Sequence, residues 1–306
     1  ALEGARAGYR VHLVERTDRL GGYTGRIYKM LPDHNTLILK EPDLPTLVDK
    51  VLKHPGIEIY KESSVESISG EPGNFSVAIS NKQPCEIKVG AVVTATGWKP
   101  YNTEKLSPLG YGSPRVKTLE EFEQYVQDEP IPDRILFILC AGSRDKNHLS
   151  YCSSYCCGAA LKQALYVREL NPNAEVYIIY RDIRTPGFQE EFYKMVQADD
   201  AIFMTKGVIE SVRDTGDAME VIVSESLLDS RISIASDMVV LATGMVPNTS
   251  ADLKLQYRLG PGLPELEYDF SDSHFICFPY ETRRTGIFAA GTVRAPMDIE
   301  MSAEDG

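Results

Sequence analysis

No apolar run in this 306-residue chain approaches the length needed to span a bilayer, and no signal peptide opens it. A basic surface is also missing. Asp and Glu number 44 against 32 Lys and Arg, and the net charge of −12 argues against a general nucleic-acid binder. Six cysteines are too few for a disulfide scaffold of this length. The five histidines (His12, His34, His54, His148 and His274) are scattered and form neither a triad nor a metal spacing. The most telling gap is a phosphate loop. The apolar strand predicted at 134–139 runs into a cysteine, and the turn after it holds Gly142 and Gly158 but no compact Gly-x-Gly-x-x-Gly. Dissociable NAD(P)H binding there is not expected.

Cysteines stand in that place. Cys140, Cys152, Cys156 and Cys157 fall within eighteen residues, spaced Cys-x11-Cys-x3-Cys-Cys. This is neither a ferredoxin run nor the paired Cys-x-x-Cys of many zinc sites. Four thiolates are the usual ligand count of a cubane iron–sulfur cluster. The last two open a predicted helix, whose N-terminus favours negative charge. Neighbouring side chains there diverge by about 100°, so both reach one cluster only with local distortion. From the residues alone, structural zinc, a redox-active thiol–disulfide pair and buried thiols stand beside the cluster. Cys85 and Cys277 are expected to be plain buried thiols. Arg144, Lys162, Arg181 and Arg184 are candidates to balance charge at the patch, and Tyr151 and Tyr155 to pack around it.

Hydrophobic content of 43% and charged content of 25% are ordinary for a globular protein with one large core or two medium ones. Residues 1–8 read as the end of a helix and 10–14 as a strand closed by Glu15. This is the second half of a βαβ unit, so a first strand and glycine turn are expected before residue 1. The chain lacks an initiator Met and stops as another helix begins, and is read as a fragment of a longer polypeptide. An acid closing the second strand of such a unit binds ribose hydroxyls, the role expected of Glu15, with a solvated strand-end carboxylate as the alternative. Leu20-Gly21-Gly22 permits close approach of backbone to a ligand.

Two segments nearly repeat: Ala91-Val-Val-Thr-Ala-Thr-Gly97 and Met238-Val-Val-Leu-Ala-Thr-Gly244, 147 residues apart, each followed by a proline, Pro100 or Pro247. Both are predicted as buried parallel strands, and Phe288-Ala-Ala-Gly291 adds a weaker echo. They imply an α/β fold of two Rossmann-like dinucleotide-binding domains, three-layered, with a β-meander. One domain is expected over 1–112 and 246–306. The other, 113–245, is inserted and carries the four cysteines. Its predicted elements are strands at 134–139, 175–180, 202–206, 208–213 and 219–225, with helices at 156–170 and 188–197. The chain is expected to return to the first domain through Gly260-Pro-Gly262.

Read together, these motifs resemble the flavin-carrying core of the heterodisulfide reductase A-subunit family. The resemblance rests on residues Glu15 to Gly22, Gly70-Glu-Pro-Gly-Asn-Phe75, Thr94-Ala-Thr-Gly-Trp98, Cys140-Ala-Gly-Ser-Arg144, Tyr151-Cys-Ser-Ser-Tyr-Cys-Cys157, Tyr180-Arg-Asp-Ile-Arg184, Gly286-Ile-Phe-Ala-Ala-Gly291 and Ala295-Pro-Met-Asp-Ile299. It implies a thioredoxin-reductase-like flavoprotein with FAD in the first domain and a [4Fe-4S] cluster on Cys140, Cys152, Cys156 and Cys157. It implies that Glu15 holds the FAD ribose, that Gly97 and Gly291 line the flavin site, and that Asp298 and Ile299 approach the isoalloxazine end. Arg16, Gly21, Gly22 and Thr96 complete that cofactor-binding set. The implied task is electron relay between cluster-bearing partner subunits of a complex, with bifurcation at the flavin in some members. A homodimer, a cytoplasmic site and membrane association through partners fit the same picture. The chain departs from larger members in having no ferredoxin-type cysteine modules.

Overall fold

A computed structural model describes residues 1–32, 36–248, 267–271, 273–274, 278–282 and 284–306. His34, Cys277 and the Gly260-Pro-Gly262 segment lie outside the described residues. The fold is α/β. Its first part opens with α1 (Leu2–Arg6), β1 (Val11–Val14), α2 (Leu44–Lys53) and β2 (Ile57–Tyr60), β1 and β2 pairing in parallel. Next come the antiparallel meander β3 (Ser64–Glu71), β4 (Asn74–Ser80) and β5 (Cys85–Val89), then the short β6 (Val92–Thr94) and β7 (Trp98–Pro100). Cys85 is the first residue of β5 and only half-buried, so it is not the fully buried thiol expected.

A seven-stranded sheet follows. Its strands are β8 (Val116–Thr118), β9 (Arg134–Ala141), β10 (Glu175–Tyr180), β11 (Ile202–Asp214), β12 (Met219–Glu225), β13 (Ser230–Ser236) and β14 (Met238–Thr243), in the order β13-β12-β11-β10-β9-β14-β8. From β11 to β8 neighbours run parallel, while β12 and β13 form an antiparallel edge. β9 is Arg-Ile-Leu-Phe-Ile-Leu-Cys-Ala, apolar after its first residue, as a central strand covered on both faces must be. β11 merges the two strands expected at 202–206 and 208–213. A register shift between Ile209 and Ser211 absorbs the change of partner, and a bulge bends the strand instead of ending it.

Three helices cover this sheet. α3 (Leu119–Asp128) starts at a capping box: Glu121 N donates to Thr118 Oγ1, and Thr118 N donates to the Glu121 carboxylate. α4 (Cys156–Leu170) is buried on most sides, and Gly158, Ala159, Ala160 and Ala164 keep it slim enough to lie close on the sheet. α5 (Gln189–Gln197) follows. Lys162 does not face the cysteines. Its Nζ lies 2.7 Å from Glu123 and donates to Lys29 O, and both side chains of this ion pair are buried. Glu123 also accepts from Tyr28 N and Gln163 Nε2, which fastens residues 28–29 to α3 and α4.

The last described elements are β15 (Met245–Pro247), β16 (Ser273–His274), β17 (Phe278–Thr282), β18 (Ile287–Ala289) and α6 (Ile299–Asp305). β18 pairs in parallel with β6, closing the sheet β16-β17-β18-β6. Here one expectation fails. The first Ala-Thr-Gly segment forms only three residues of strand, and Val93 is 63% exposed. β6 ends its sheet and has a described neighbour on one side only, so it cannot be covered as β14 is. Among the described residues no helix is long and apolar enough to cross a membrane.

Candidate functional site

The two Ala-Thr-Gly segments meet. β7 and β15, the strands directly after them, pair antiparallel, with Met245 opposite Pro100 and Pro247 opposite Trp98. The ribbon is reciprocal: Asn248 N donates to Gly97 O, and Tyr101 N donates to Gly244 O. It passes beside both sets of candidate residues.

The cysteine set sits where β9 gives way to α4. Cys140 ends the apolar run with φ 58°, and Arg144 and Ser154 have φ 56°. Three non-glycine residues in left-handed conformation within one loop are costly, and such strain concentrates at functional sites. The loop is held on all sides. Arg144 N donates to Tyr151 O, Leu149 N to Gly142 O, and Met245 N to Ser153 Oγ. Tyr151 donates its hydroxyl to Met245 O and packs against Tyr268 and Phe270, which pushes that hydroxyl, largely by burial, up to about 12. Gly244 leaves no room for a side chain, since a Cβ there would stand 2.4 Å from Ser143 Oγ and 2.5 Å from Leu149 Cδ1.

Cys140, Cys156 and Cys157 are buried and Cys152 is half-buried; all four are free thiols. They feel one another. The hydrogen bond from Cys156 lowers Cys157 to about 7, against burial, with help from the Arg184 backbone and the Arg144 charge. Cys156 is pushed up by that same hydrogen bond and by burial, and Cys140 is raised by burial and by the charge of Cys157. Ser154 N donates to Cys152 Sγ at 3.4 Å. Arg144 bonds Asp182 at 2.8 Å and reaches Cys140, and its Nη1 is buried without a partner. An unpaired guanidinium nitrogen whose charge acts on Cys140 and Cys157 suits an anionic cluster held there. Among the described residues no three His, Cys, Asp or Glu side chains are close enough to hold a single metal ion. A cubane distributes its four thiolates over four irons, a wider arrangement.

The second set is spread over the first part of the chain. Glu15 closes β1, is half-buried and accepts from Thr17 N and Thr17 Oγ1, both at 2.8 Å; Arg16 beside it is exposed. Gly21 and Gly22 have φ 117° and 51°, and Gly97 has φ 72°. At Gly22 and Gly97 a Cβ would meet nothing within 4 Å, so open space adjoins both backbones. Thr96 is exposed, and its carbonyl accepts from Asn248 Nδ2. Gly291 is buried with φ 70° and donates its N–H to Asp305. Asp298 caps α6 by accepting from Met301 N and also accepts from Gln189 Nε2 at 2.6 Å; Ile299 is half-buried beside it. The Gly22 and Gly97 backbones have space beside them, whereas a Cβ on Gly21 would meet Leu44 Cδ2 at 2.6 Å; open glycine backbone and a carboxylate at a strand end are features that an extended dinucleotide uses.

Between the two sets lie Tyr23, Trp98 and Gln189, for which no site role is expected from the sequence, and Tyr155, expected only to pack around the cysteines. The rings of Tyr23, Trp98 and Tyr155 pack in series, each tilted against the next. Gln189 holds Asp298 with its amide nitrogen, while its oxygen is unpartnered and lies 3.0 Å from where a Cβ on Gly158 would be. Trp98 carried a signal, being the only tryptophan and directly after the first Ala-Thr-Gly. Gln189 carried none.

No protein-family model matches the chain. It is 24% identical to a heterodisulfide reductase A-subunit-like protein of Archaeoglobus profundus over 98% of its own length and 61% of the relative's. It is 26% identical to the iron–sulfur A subunit of the CoB–CoM heterodisulfide reductase of Methanocaldococcus jannaschii, over 98% and 59%. With the second such A subunit of Methanopyrus kandleri the values are 27%, 100% and 60%. The chain thus spans about three-fifths of the curated relatives it matches. Among solved structures, the thioredoxin reductases of T. acidophilum and Lactococcus lactis superpose with a TM-score of 0.66 at 18% and 17% identity. They cover 100% and 99% of this chain and 90% and 89% of their own. In sequence the chain is similar to the A subunit of heterodisulfide reductase along its whole length, and in fold to thioredoxin reductase.

Proposed function

We propose that the chain is the flavin- and iron–sulfur-carrying core of an oxidoreductase subunit that relays electrons within a heterodisulfide-reductase-like complex. The observation that carries this reading is the cysteine loop. Four thiols share the strand-to-helix turn where a nucleotide phosphate would otherwise lie, in mutual electrostatic contact and beside a buried, unpaired guanidinium nitrogen. In this reading Cys140, Cys152, Cys156 and Cys157 hold a [4Fe-4S] cluster. Glu15, Arg16, Gly21, Gly22, Thr96, Gly97, Gly291, Asp298 and Ile299 hold FAD. Residues 1–112 with 246–306 form the FAD-binding domain, and 113–245 the inserted domain. Flavin, when bound, supplies exchange between two-electron and one-electron chemistry, and the cluster supplies one-electron transfer.

The residues have distinct tasks. Glu15 orients a ribose, and Gly22 and Gly97 let backbone approach the ligand. Gln189 fixes the Asp298 carboxylate. Arg144 and the Arg184 N–H offset negative charge at the sulfurs. The relatives' names speak of subunits, so cluster-bearing partner subunits are the proposed electron donors and acceptors, in the cytoplasm or at a membrane through those partners. A homodimer is compatible with this, and bifurcation is a further property to be tested.

The test is to purify the full-length protein without oxygen and assay metal, acid-labile sulfide and flavin. About four irons, four sulfides and one FAD per polypeptide are expected from this core, after subtracting clusters bound by other segments. Zinc in place of iron would turn the reading to a zinc-stabilised scaffold. Metal-free thiols with NAD(P)H-reducible flavin would turn it to a disulfide reductase.

A further inference from the structure

Three aromatic rings join the two sets of candidate residues. Tyr23 follows Gly22, Trp98 follows Gly97, and Tyr155 precedes Cys156 as the residue capping α4. Ring centroids lie 4.4 Å apart for Tyr23 and Trp98 and 4.8 Å for Trp98 and Tyr155, tilted by 49° and 56°. Such separations and tilts are those of attractive aromatic pairs. Trp98 thus lies between Tyr23 and Tyr155 and touches both rings, so that the three form a clasp. Tyr155 is buried, and its backbone lies between Ser154, held at φ 56°, and the first turn of α4. Ser154 N in turn donates to Cys152 Sγ. The Tyr155 ring is therefore placed by the same few bonds that place Cys152 and Cys156.

We propose that Tyr23, Trp98 and Tyr155 are positioning residues that make the cysteine site and the flavin-side loops one cooperative centre, so that filling either site tightens the other. This rests on the flavin and cluster assignment above. A cluster on the cysteines fixes Cys152 and Cys156 and, through them, the Tyr155 ring. That ring restrains Trp98 and Tyr23, and so the backbone at Gly97 and Gly22, where open space adjoins the chain. Ordering these loops in advance removes part of the entropy that flavin binding would otherwise cost. The coupling is reciprocal by linkage.

The experiment is an FAD titration of the flavin-stripped full-length protein. One sample carries reconstituted cluster and the other is metal-free after chelation, both without oxygen. FAD is expected to bind the cluster-loaded form more tightly by a factor in the range of about 5 to 150 typical of coupled sites. Tyr155→Leu, which removes the ring and leaves the four cysteines, brings the ratio of the two dissociation constants to one. Tyr155→Phe, which keeps the ring, preserves the ratio, and a residue that merely supports the fold would not separate these two variants. Trp98→Leu is an independent break at the centre of the clasp, for use should Tyr155→Leu fail to fold. Equal affinities in the wild type, or a ratio that survives the folded leucine variants, would overturn the proposal. A protein that takes up no flavin in either form overturns the functional assignment itself, and is recognised by missing flavin absorbance rather than by an unchanged ratio.

Discussion

Val93 and Val240 occupy the same place in two nearly identical segments, Val-Val-Thr-Ala-Thr-Gly and Val-Val-Leu-Ala-Thr-Gly, yet one is 63% exposed and the other 0%. β14 lies between β9 and β8, beneath α3 and α4. β6 has one described neighbour, β18. The glycines diverge as well. Gly244 packs hard against Ser143, Leu149 and Ser153, while Gly97 turns through φ 72° beside open space. The same few residues make a packing wedge for the cysteine loop in one case and an exposed backbone bend in the other. Burial belongs to a strand's neighbours, not to the strand.

The largest effect expected on the buried side is chemical. Cys157→Ser should abolish iron binding by the loop, while FAD in excess still loads, measured as iron and flavin per chain. Loss of iron together with failure to take up flavin from excess FAD, in a folded variant, would erase the distinction between the two regions. Stability should then separate the valines. Val240→Ala is expected to cost about 2–3 kcal/mol, from two buried carbons and the cavity they leave. Val93→Ala should stay within about 0.5 kcal/mol. Urea unfolding of both variants, compared at equal slope, checks the pair. The glycines give the finest contrast. Gly244→Ala should destabilise by about 1–3 kcal/mol through overpacking and disturb the cysteine loop, reducing iron content. Gly97→Ala should cost about 1–2 kcal/mol from its left-handed backbone and act on flavin affinity instead. Equal effects of the two substitutions on both cofactors would mean that the regions are not specialised.

Much of the second part of the fold was legible in the sequence. The apolar run before Cys140 reads as a strand, and the helix expected at 156–170 has the bounds observed. The β-meander expected in the fold is found at β3–β5, its first turn at Gly73-Asn74. The exposure of β6 was not legible, because nothing in Ala-Val-Val-Thr tells how many strands lie beside it. α3 is not among the predicted helices, yet its start carries a sequence signal, the capping box Thr118-x-x-Glu121. The cysteines were readable as a group, since four in eighteen residues is a local pattern. The contacts that join them to the flavin side were not. Tyr23, Trp98, Tyr155 and Gln189 come from four separate stretches, and only the tertiary fold brings them together.

The pairing of β18 with β6 sets Ile287 beside Val92. Every strand of the seven-stranded sheet lies between them in the chain, so during synthesis that sheet can close while the earlier sheet still waits for its partner. Until residue 289 emerges, the backbone of Val92–Thr94 lacks the β18 partner, and an unpaired strand edge is open to pairing with other chains. The late arrival of β18 leaves the β6 edge without this partner until after the whole seven-stranded sheet has been made.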